Sequence, residues 1–200
     1  MGAGLKSKLP LSAVHLCIDM QRMFTEDTAW RTPWAGRVLP VIEEVCARKA
    51  DRTIFTRFIP ATRPGEGEGM WRAYWERWAS MTLEAMGPEM VDLALSLQRF
   101  VPPARILNKA SYSPWRDGRL HAALREGGAG TLVVTGAETD VCVLATVLGA
   151  VDLGYRTVVV TDALCSSADD THDKLIDLYN ARYDQQVETT DSRELFDAWR

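Results

Sequence analysis

The chain predicts an α/β protein in which helices cover both faces of a mostly parallel sheet, giving a three-layer α/β/α sandwich. Two observations carry that expectation. Short β-branched or apolar runs alternate along the sequence with segments whose apolar residues recur at helical spacing. The best-defined runs, such as Thr131–Thr135, lack the in–out alternation of a half-exposed strand and read as strands covered on both faces. The size fits one domain over 1–200: 200 residues of which 46% are hydrophobic can bury a core without disulfide or metal staples.

Taken in order, Ala13–Ile18 is the first strand candidate and ends at Asp19. Leu39–Ala50 follows as a helix with Leu39, Ile42, Val45 and Cys46 on one face. Thr53–Phe58 is the second strand, and Ile106–Asn108 a short third one leading into Lys109. After the turn Gly127–Gly130 comes the strand Thr131–Thr135, then a helix Val141–Leu153 stopped by Gly154. Thr157–Thr161 is the fifth strand. Asp169–Tyr183 is a helix with Leu175, Ile176, Leu178 and Tyr179 as its apolar face. Gln186–Thr190 reads as a polar edge strand and Ser192–Arg200 as a closing helix, so the sheet has six strands and is Rossmann-like.

Between the second and third strands the alternation breaks. Residues 60–103 contain Pro64, glycines at 65, 67 and 69, and the run Met70–Trp78 with three tryptophans. A stretch this long between strands of a compact domain is uncommon unless it has a use. Trp71, Trp75 and Trp78 share one face of a short helix. That face is expected to pack on the domain, with Trp71 and Trp75 as candidates for the roof of a ligand pocket or for an oligomer interface.

A net charge of −4 with no basic run gives no reason to expect a nucleic-acid or membrane-surface partner. No window has the apolar length of a membrane span or of a signal peptide ahead of the first strand, so the expectation is a cytoplasmic protein. Cys17, Cys46, Cys142 and Cys165 lie far apart with no Cys-x-x-Cys pair, which disfavours a disulfide framework or a zinc site.

Open parallel sheets bind ligands beyond the carboxyl ends of their strands. Asp19 follows the first strand, Lys109 the third, and Cys142 lies just after the fourth. A thiol at its ordinary pKa is only a few per cent ionised at neutral pH and needs a base, a cation or a helix N-terminus to become thiolate. Cys142 falls at the start of the helix Val141–Leu153, with Thr139 and Asp140 as cap residues, where the dipole favours a thiolate. Asp19 is the candidate proton acceptor and donor, Lys109 the cation that keeps acid and thiolate charged, and backbone N–H groups of this turn the candidate oxyanion donors. Singly, each has a plainer reading: a core cysteine, a capping acid, a solvated lysine. Their coincidence at three strand ends carries the expectation.

The segment Asp19-Met20-Gln21-Arg22-Met23-Phe24 resembles the Asp-x-Gln-x-x-Phe opening of the isochorismatase-like cysteine hydrolases, which include nicotinamidases and N-carbamoylsarcosine amidohydrolase. Gly136-Ala137-Glu138-Thr139-Asp140-Val141-Cys142 is similar to their nucleophile motif, and Asn108-Lys109-Ala110-Ser111-Tyr112-Ser113 to their lysine segment. The resemblance implies a triad of Asp19, Lys109 and Cys142, a cis peptide between Ala137 and Glu138, and an oxyanion hole from the N–H groups of Glu138 and Cys142. Gln21 and Phe24 match positions near the pocket of relatives, and Arg57, Arg63 and Tyr112 join them as substrate-pocket candidates. Homo-oligomerisation, as dimer or tetramer, is expected by analogy.

One departure bears on the chemistry. Nicotinamidases carry a metal site of one Asp and several His just after the second strand, but here Thr56–Pro64 has no histidine. His15, His121 and His172 form no ligand pattern, so neither metal nor cofactor is expected. Isochorismatases proper cleave a vinyl ether without depending on the cysteine. The retained Cys142 therefore points to a metal-independent cysteine amidohydrolase that cleaves a small amide, ureide or N-carbamoyl C–N bond through an acyl- or carbamoyl-cysteine. The alternatives are a vinyl-ether or other non-amide hydrolase, or a non-catalytic binding paralogue.

Overall fold

The computed structural model describes residues 4–200. Six strands form one sheet: β1 Val14–Ile18, β2 Thr53–Phe58, β3 Arg105–Lys109, β4 Thr131–Ala137, β5 Arg156–Cys165 and β6 Val187–Thr190. Their order is β3-β2-β1-β4-β5-β6 and every pairing is parallel, so "mostly parallel" understates the regularity. The chain runs outward from β1 to β3, then returns to place β4 against β1. That reversal opens a crevice at the carboxyl ends of β1 and β4, the usual ligand position in such sheets.

Helices cover both faces. Those that pack on the sheet are α2 Ala35–Lys49, α5 Arg119–Glu126, α6 Leu144–Asp152, α7 Asp169–Arg182 and α8 Ser192–Ala198. The others are α1 Arg22–Thr25, α3 Met70–Arg77 and α4 Leu83–Met86. Alternate residues of a strand point to opposite faces. Accordingly Cys17, Phe55 and Val133 pack with Val38, Ile42 and Cys46 of α2 and with Leu195 of α8. Leu16, Ile18, Leu132 and Val134 pack with Leu120, Leu124, Val147, Leu175 and Tyr179 on the other side.

Several boundaries move. Helix α2 begins four residues before the expected Leu39 and carries Pro40 inside its first two turns. On α7 the buried residues are His172, Leu175 and Tyr179, while Leu178 is exposed. The expected helix Val141–Leu153 is in two parts: a wide π turn over Thr139–Val143, then α6. Strand β6 lies at the sheet edge but is buried at all four residues, polar composition notwithstanding. Its Glu188 accepts two hydrogen bonds from the Arg156 guanidinium, at 2.7 and 2.8 Å, which neutralises a carboxylate that burial would otherwise penalise.

The 60–103 segment folds as α3, α4 and short turns around a third apolar cluster of Met23, Phe24, Trp30, Phe58, Trp75 and Met81. It returns along the β1–α1 junction, where the Ala94 N–H donates to the Met20 carbonyl (2.8 Å) and the Arg22 N–H to that of Asp92 (2.9 Å). The insertion is thereby stitched to the crevice.

Two residues of the central strands set testable constraints. Gly136 of β4 has φ +112°, and a Cβ there would lie 2.2 Å from the Ile18 carbonyl oxygen. We expect Gly136→Ala to lower stability by more than about 3 kcal/mol, read by thermal or urea melts, because the added carbon would meet rigid backbone of β1 in a conformation that side chains rarely adopt. His15 of β1 is fully buried, with Nε2 2.8 Å from Thr135 Oγ1 and Nδ1 3.1 Å from Thr53 Oγ1. Burial pushes its pKa from 6.5 down to about 3. Between those values the unfolded chain binds a proton at His15 and the folded chain does not, so falling pH favours unfolding. We expect this residue to remove about 1.4 kcal/mol per pH unit across that window, and urea melts of His15→Asn between pH 4 and 7 to lack that share of the slope.

Candidate active site

The carboxyl ends of three strands deliver an acid, a cation and a thiol to one point. Asp19 follows β1 with φ 48°, the one positive φ outside glycine among the described residues. Thr56 of β2 holds it there: the Asp19 N–H donates to Thr56 Oγ1 (3.1 Å), and that hydroxyl donates to Asp19 Oδ1 (2.5 Å). Lys109, the last residue of β3, reaches the other carboxylate oxygen, with Nζ 2.5 Å from Asp19 Oδ2. The same ammonium donates to the Ser111 carbonyl (3.1 Å) and to Cys142 Sγ (3.4 Å). All three of its N–H donors are engaged. Its Nζ also stands 5.2 Å from the centroid of the Phe58 ring.

Both partners of the ion pair are withdrawn from water, Asp19 fully and Lys109 to 6% exposure. Burial alone pulls the Lys109 pKa down, but the Asp19 charge and the Cys142 sulfur outweigh it and hold the ammonium above the usual lysine range. For Cys142 the balance differs from the sequence-based expectation. Burial pushes the thiol well above its ordinary value, the adjacent Asp19 carboxylate pushes it further, and Lys109 pulls it back only in part. The cation is already matched by the carboxylate, so it has little charge left for the sulfur. Burial and the adjacent Asp19 side chain therefore favour the thiol form, against the thiolate that helix start and lysine suggest.

The helix start itself differs too. Cys142 lies inside the π turn, and neither Thr139 nor Asp140 caps it. Thr139 Oγ1 donates to the Cys165 carbonyl (3.1 Å) and bonds His172 Nδ1 (2.8 Å). The Asp140 carboxylate accepts from Ser166 Oγ (2.6 Å) and Thr171 Oγ1 (2.5 Å). These bonds tie the turn to the segment after β5 and to α7. The Glu138 carbonyl accepts from the N–H groups of Val141 and Val143, both at 3.1 Å, passing over Cys142 between them. The peptide between Ala137 and Glu138 is cis.

Of the four cysteines, Cys142 lines a cavity. Cys17, Cys46 and Cys165 are completely buried, and burial raises their thiols, the last two to about 12. The cavity at Cys142 has a volume of about 240 Å³ and is lined chiefly by Phe24, Trp30, Phe58, Tyr74, Trp78 and Tyr112, with Glu138 and Ser167 at its polar side. A wider cleft of about 430 Å³ runs past Lys109, Ser111 and Arg116, but neither Asp19 nor Cys142 lines it.

The pocket candidates therefore divide. Phe24 and Tyr112 line the cavity. Gln21 does not: its amide is sunk between β2 and the insertion, accepting from the Phe58 N–H (2.7 Å) and donating to the carbonyls of Phe58 (3.0 Å) and Val91 (2.7 Å). Trp71 and Trp75 stand behind the lining and border a separate cleft. Arg57 pairs with Asp92 (2.9 Å) and Asn108 (2.9 Å), and Arg63 with Glu66 (3.2 Å), so neither guanidinium meets the cavity. Sequence reasoning missed Trp30, Tyr74 and Thr56. Tyr74 lay on the Trp71–Trp78 helix, where aromatic density was a usable signal; Thr56 and Trp30 had none.

Among the described residues no three His, Cys, Asp or Glu side chains gather as a metal-binding group. His15 sits between two threonines, His121 bonds the Tyr155 hydroxyl (2.9 Å), and His172 bonds Thr139. Among the described residues no helix is long and apolar enough to cross a membrane.

With the fold and this cluster established, comparison with known proteins places the chain. The isochorismatase domain model matches residues 13–192, and the chain belongs to that family. A probable inactive nicotinamidase of Arabidopsis thaliana is 27% identical over 173 residues, covering 82% of this chain and 87% of the relative. The crystal structure of a cysteine hydrolase from Pseudomonas syringae pv. phaseolicola 1448A superposes with a TM-score of 0.77 at 22% identity, covering 95% of each chain. That of N-carbamoylsarcosine amidase from Thermoplasma acidophilum does so with 0.71 at 21%, covering 90% of this chain and 96% of the other.

The bond between Thr56 and Asp19 yields a direct check. We expect Thr56→Val to cost about 1–3 kcal/mol in urea melts, since it leaves a buried carboxylate oxygen short of a donor. Thr56→Ser should retain most of that stability.

Proposed function

We propose that the protein is a cysteine amidohydrolase acting on a small amide, ureide or N-carbamoyl compound. The observation that carries this reading is the contact of one buried ammonium with both the Asp19 carboxylate and the Cys142 sulfur, the sulfur being the member that lines a cavity. Family membership and the amidase among the structural neighbours support it. Retention of acid, cation and thiol together favours C–N cleavage over vinyl-ether cleavage.

In the proposed cycle the Cys142 thiol passes its proton to Asp19 as sulfur attacks the carbonyl carbon. The N–H groups of Glu138 and Cys142 receive the developing oxyanion. Lys109 holds the carboxylate in place and offsets negative charge as it moves onto sulfur. Asp19 then gives its proton to the leaving nitrogen, the C–N bond breaks, and a thioester or thiocarbamate remains. Water attacks that carbonyl, its proton going to Asp19, and the C–S bond breaks with the proton returned to sulfur. A raised resting thiol suits such a cycle, because ionisation is coupled to attack and the nucleophile is not left exposed to side reactions.

The family relative that is named as probably inactive makes a second reading worth testing, a binding protein that kept the fold. Ammonia release from a panel of small amides separates the two. We expect turnover by the native protein and a loss of at least about a thousandfold in kcat/KM for Cys142→Ala, Cys142→Ser and Asp19→Asn, with the fold intact by circular dichroism. Mass spectrometry with a slow substrate should locate an adduct on Cys142 alone of the four cysteines. Turnover undiminished in Cys142→Ala would remove the cysteine mechanism.

A further inference from the structure

The cavity that receives the substrate has an unusual charge and surface for a site expected to admit amides of every kind. Four rings with polar edges or large π faces, Trp30, Tyr74, Trp78 and Tyr112, line it together with Phe24 and Phe58. They support one another: Trp30 lies 5.9 Å from Phe24, 6.1 Å from Tyr74 and 5.7 Å from Trp78 between ring centroids. The lining also contains one carboxylate outside the ion pair, that of Glu138. It accepts one hydrogen bond, from the Ser167 N–H (3.0 Å), and forms no ion pair among the described residues. No uncommitted cation faces it, for the Lys109 donors are all engaged, and Arg57 and Arg63 are held by acids elsewhere. With Asp19 and Lys109 cancelling and the thiol neutral, Glu138 leaves the cavity with a net negative charge.

Aromatic faces present negative potential, and a carboxylate beside them adds to it. Such a surface attracts a cation and repels a carboxylate. At about 240 Å³ the cavity has room for about eight water-sized groups at ~30 Å³ each. From this, and resting on the amidohydrolase reading above, we infer that the substrate is a small amide carrying a positive charge, an ammonium, quaternary ammonium or amidinium. The charged group sits in the cage of Trp30, Tyr74, Trp78 and Tyr112 with Glu138 as its counter-ion, and the carbonyl faces Cys142. Anionic amides, such as carbamoyl amino acids and maleamate-like acids, are disfavoured by the same field.

A matched pair of probes isolates the charge. Trimethylammonioacetamide and 3,3-dimethylbutanamide have nearly the same shape and differ in a quaternary nitrogen against a quaternary carbon. Because the α-ammonium also activates the carbonyl inductively, the readout is binding: at equal ionic strength Cys142→Ser should bind the cation about 30-fold more tightly than the neutral amide by calorimetry, the size expected of a desolvated cation–π contact of about 2 kcal/mol. Glu138→Gln, which keeps the side chain's size, should cut that ratio at least about fivefold, and Trp78→Leu should cut it as well. Equal or tighter binding of the neutral amide, or binding of neither, would overturn the inference while leaving the amidohydrolase reading intact.

Discussion

The ion pair between Lys109 and Asp19 is nearly sealed from water, and the carboxyl end of the sheet is organised around it. Removing two charges from solvent costs several kcal/mol for each ion unless every remaining lone pair and proton finds a partner. Here they do. Thr56 takes one carboxylate oxygen, Lys109 the other, and the ammonium spends its two further protons on the Ser111 carbonyl and the Cys142 sulfur. The three strands β1, β2 and β3 each contribute one member to that arrangement. A left-handed backbone at Asp19 and a glycine at 136 let the chains approach closely enough to complete it. Satisfying a buried pair so fully also fixes the register of three strand ends with respect to one another.

The neutrality of the pair shapes the chemistry as much as its placement. A free lysine near a cysteine would draw out the proton and leave a standing thiolate; a lysine already matched by a carboxylate does not. Burial and Asp19 therefore outweigh Lys109 at Cys142 and raise its thiol, which lies against the group placed to accept its proton. In the proposed reaction the negative charge moves from carboxylate to sulfur and on to the carbonyl oxygen, while the ammonium stays within reach of the first two. Little reorganisation is needed at any stage, which is how preorganised sites lower barriers.

The acid–lysine–cysteine cluster and the wall of the cavity beside it come from different parts of the chain. The sheet ends supply acid, cation and thiol; the turn of Trp30 and the 60–103 insertion supply three of the six rings that line the cavity, Trp30, Tyr74 and Trp78. The insertion is held by backbone bonds to the β1–α1 junction and by the buried Gln21 amide, whose three hydrogen bonds join β2 to the returning strap. A side chain that resembled a substrate contact in sequence is thus the fastener of the pocket wall. Substitution within the insertion can therefore alter shape and charge while the reactive cluster stays fixed.

Much of this was legible before any coordinates. Local patterning determines strands and helices, and the order of strands in a βαβ chain places their ends on one rim, so Asp19, Lys109 and Cys142 were found together from three short motifs. What patterning does not contain is the balance among groups that meet only on folding. That Lys109 is consumed by Asp19, that Thr139 and Asp140 bond across to α7 and the turn before it instead of capping, and that Arg57 turns outward to Asp92 all depend on partners 26 or more residues away. The lining was similarly hidden, because Trp30, Phe58, Tyr74 and Tyr112 come from four separate segments. Sequence by itself determined the fold class and the meeting of an acid, a lysine and a cysteine, through local periodicity and strand-end position; tertiary structure decided the direction in which the thiol's pKa moves and the cavity's charge, because both are sums over neighbours brought together from the whole chain.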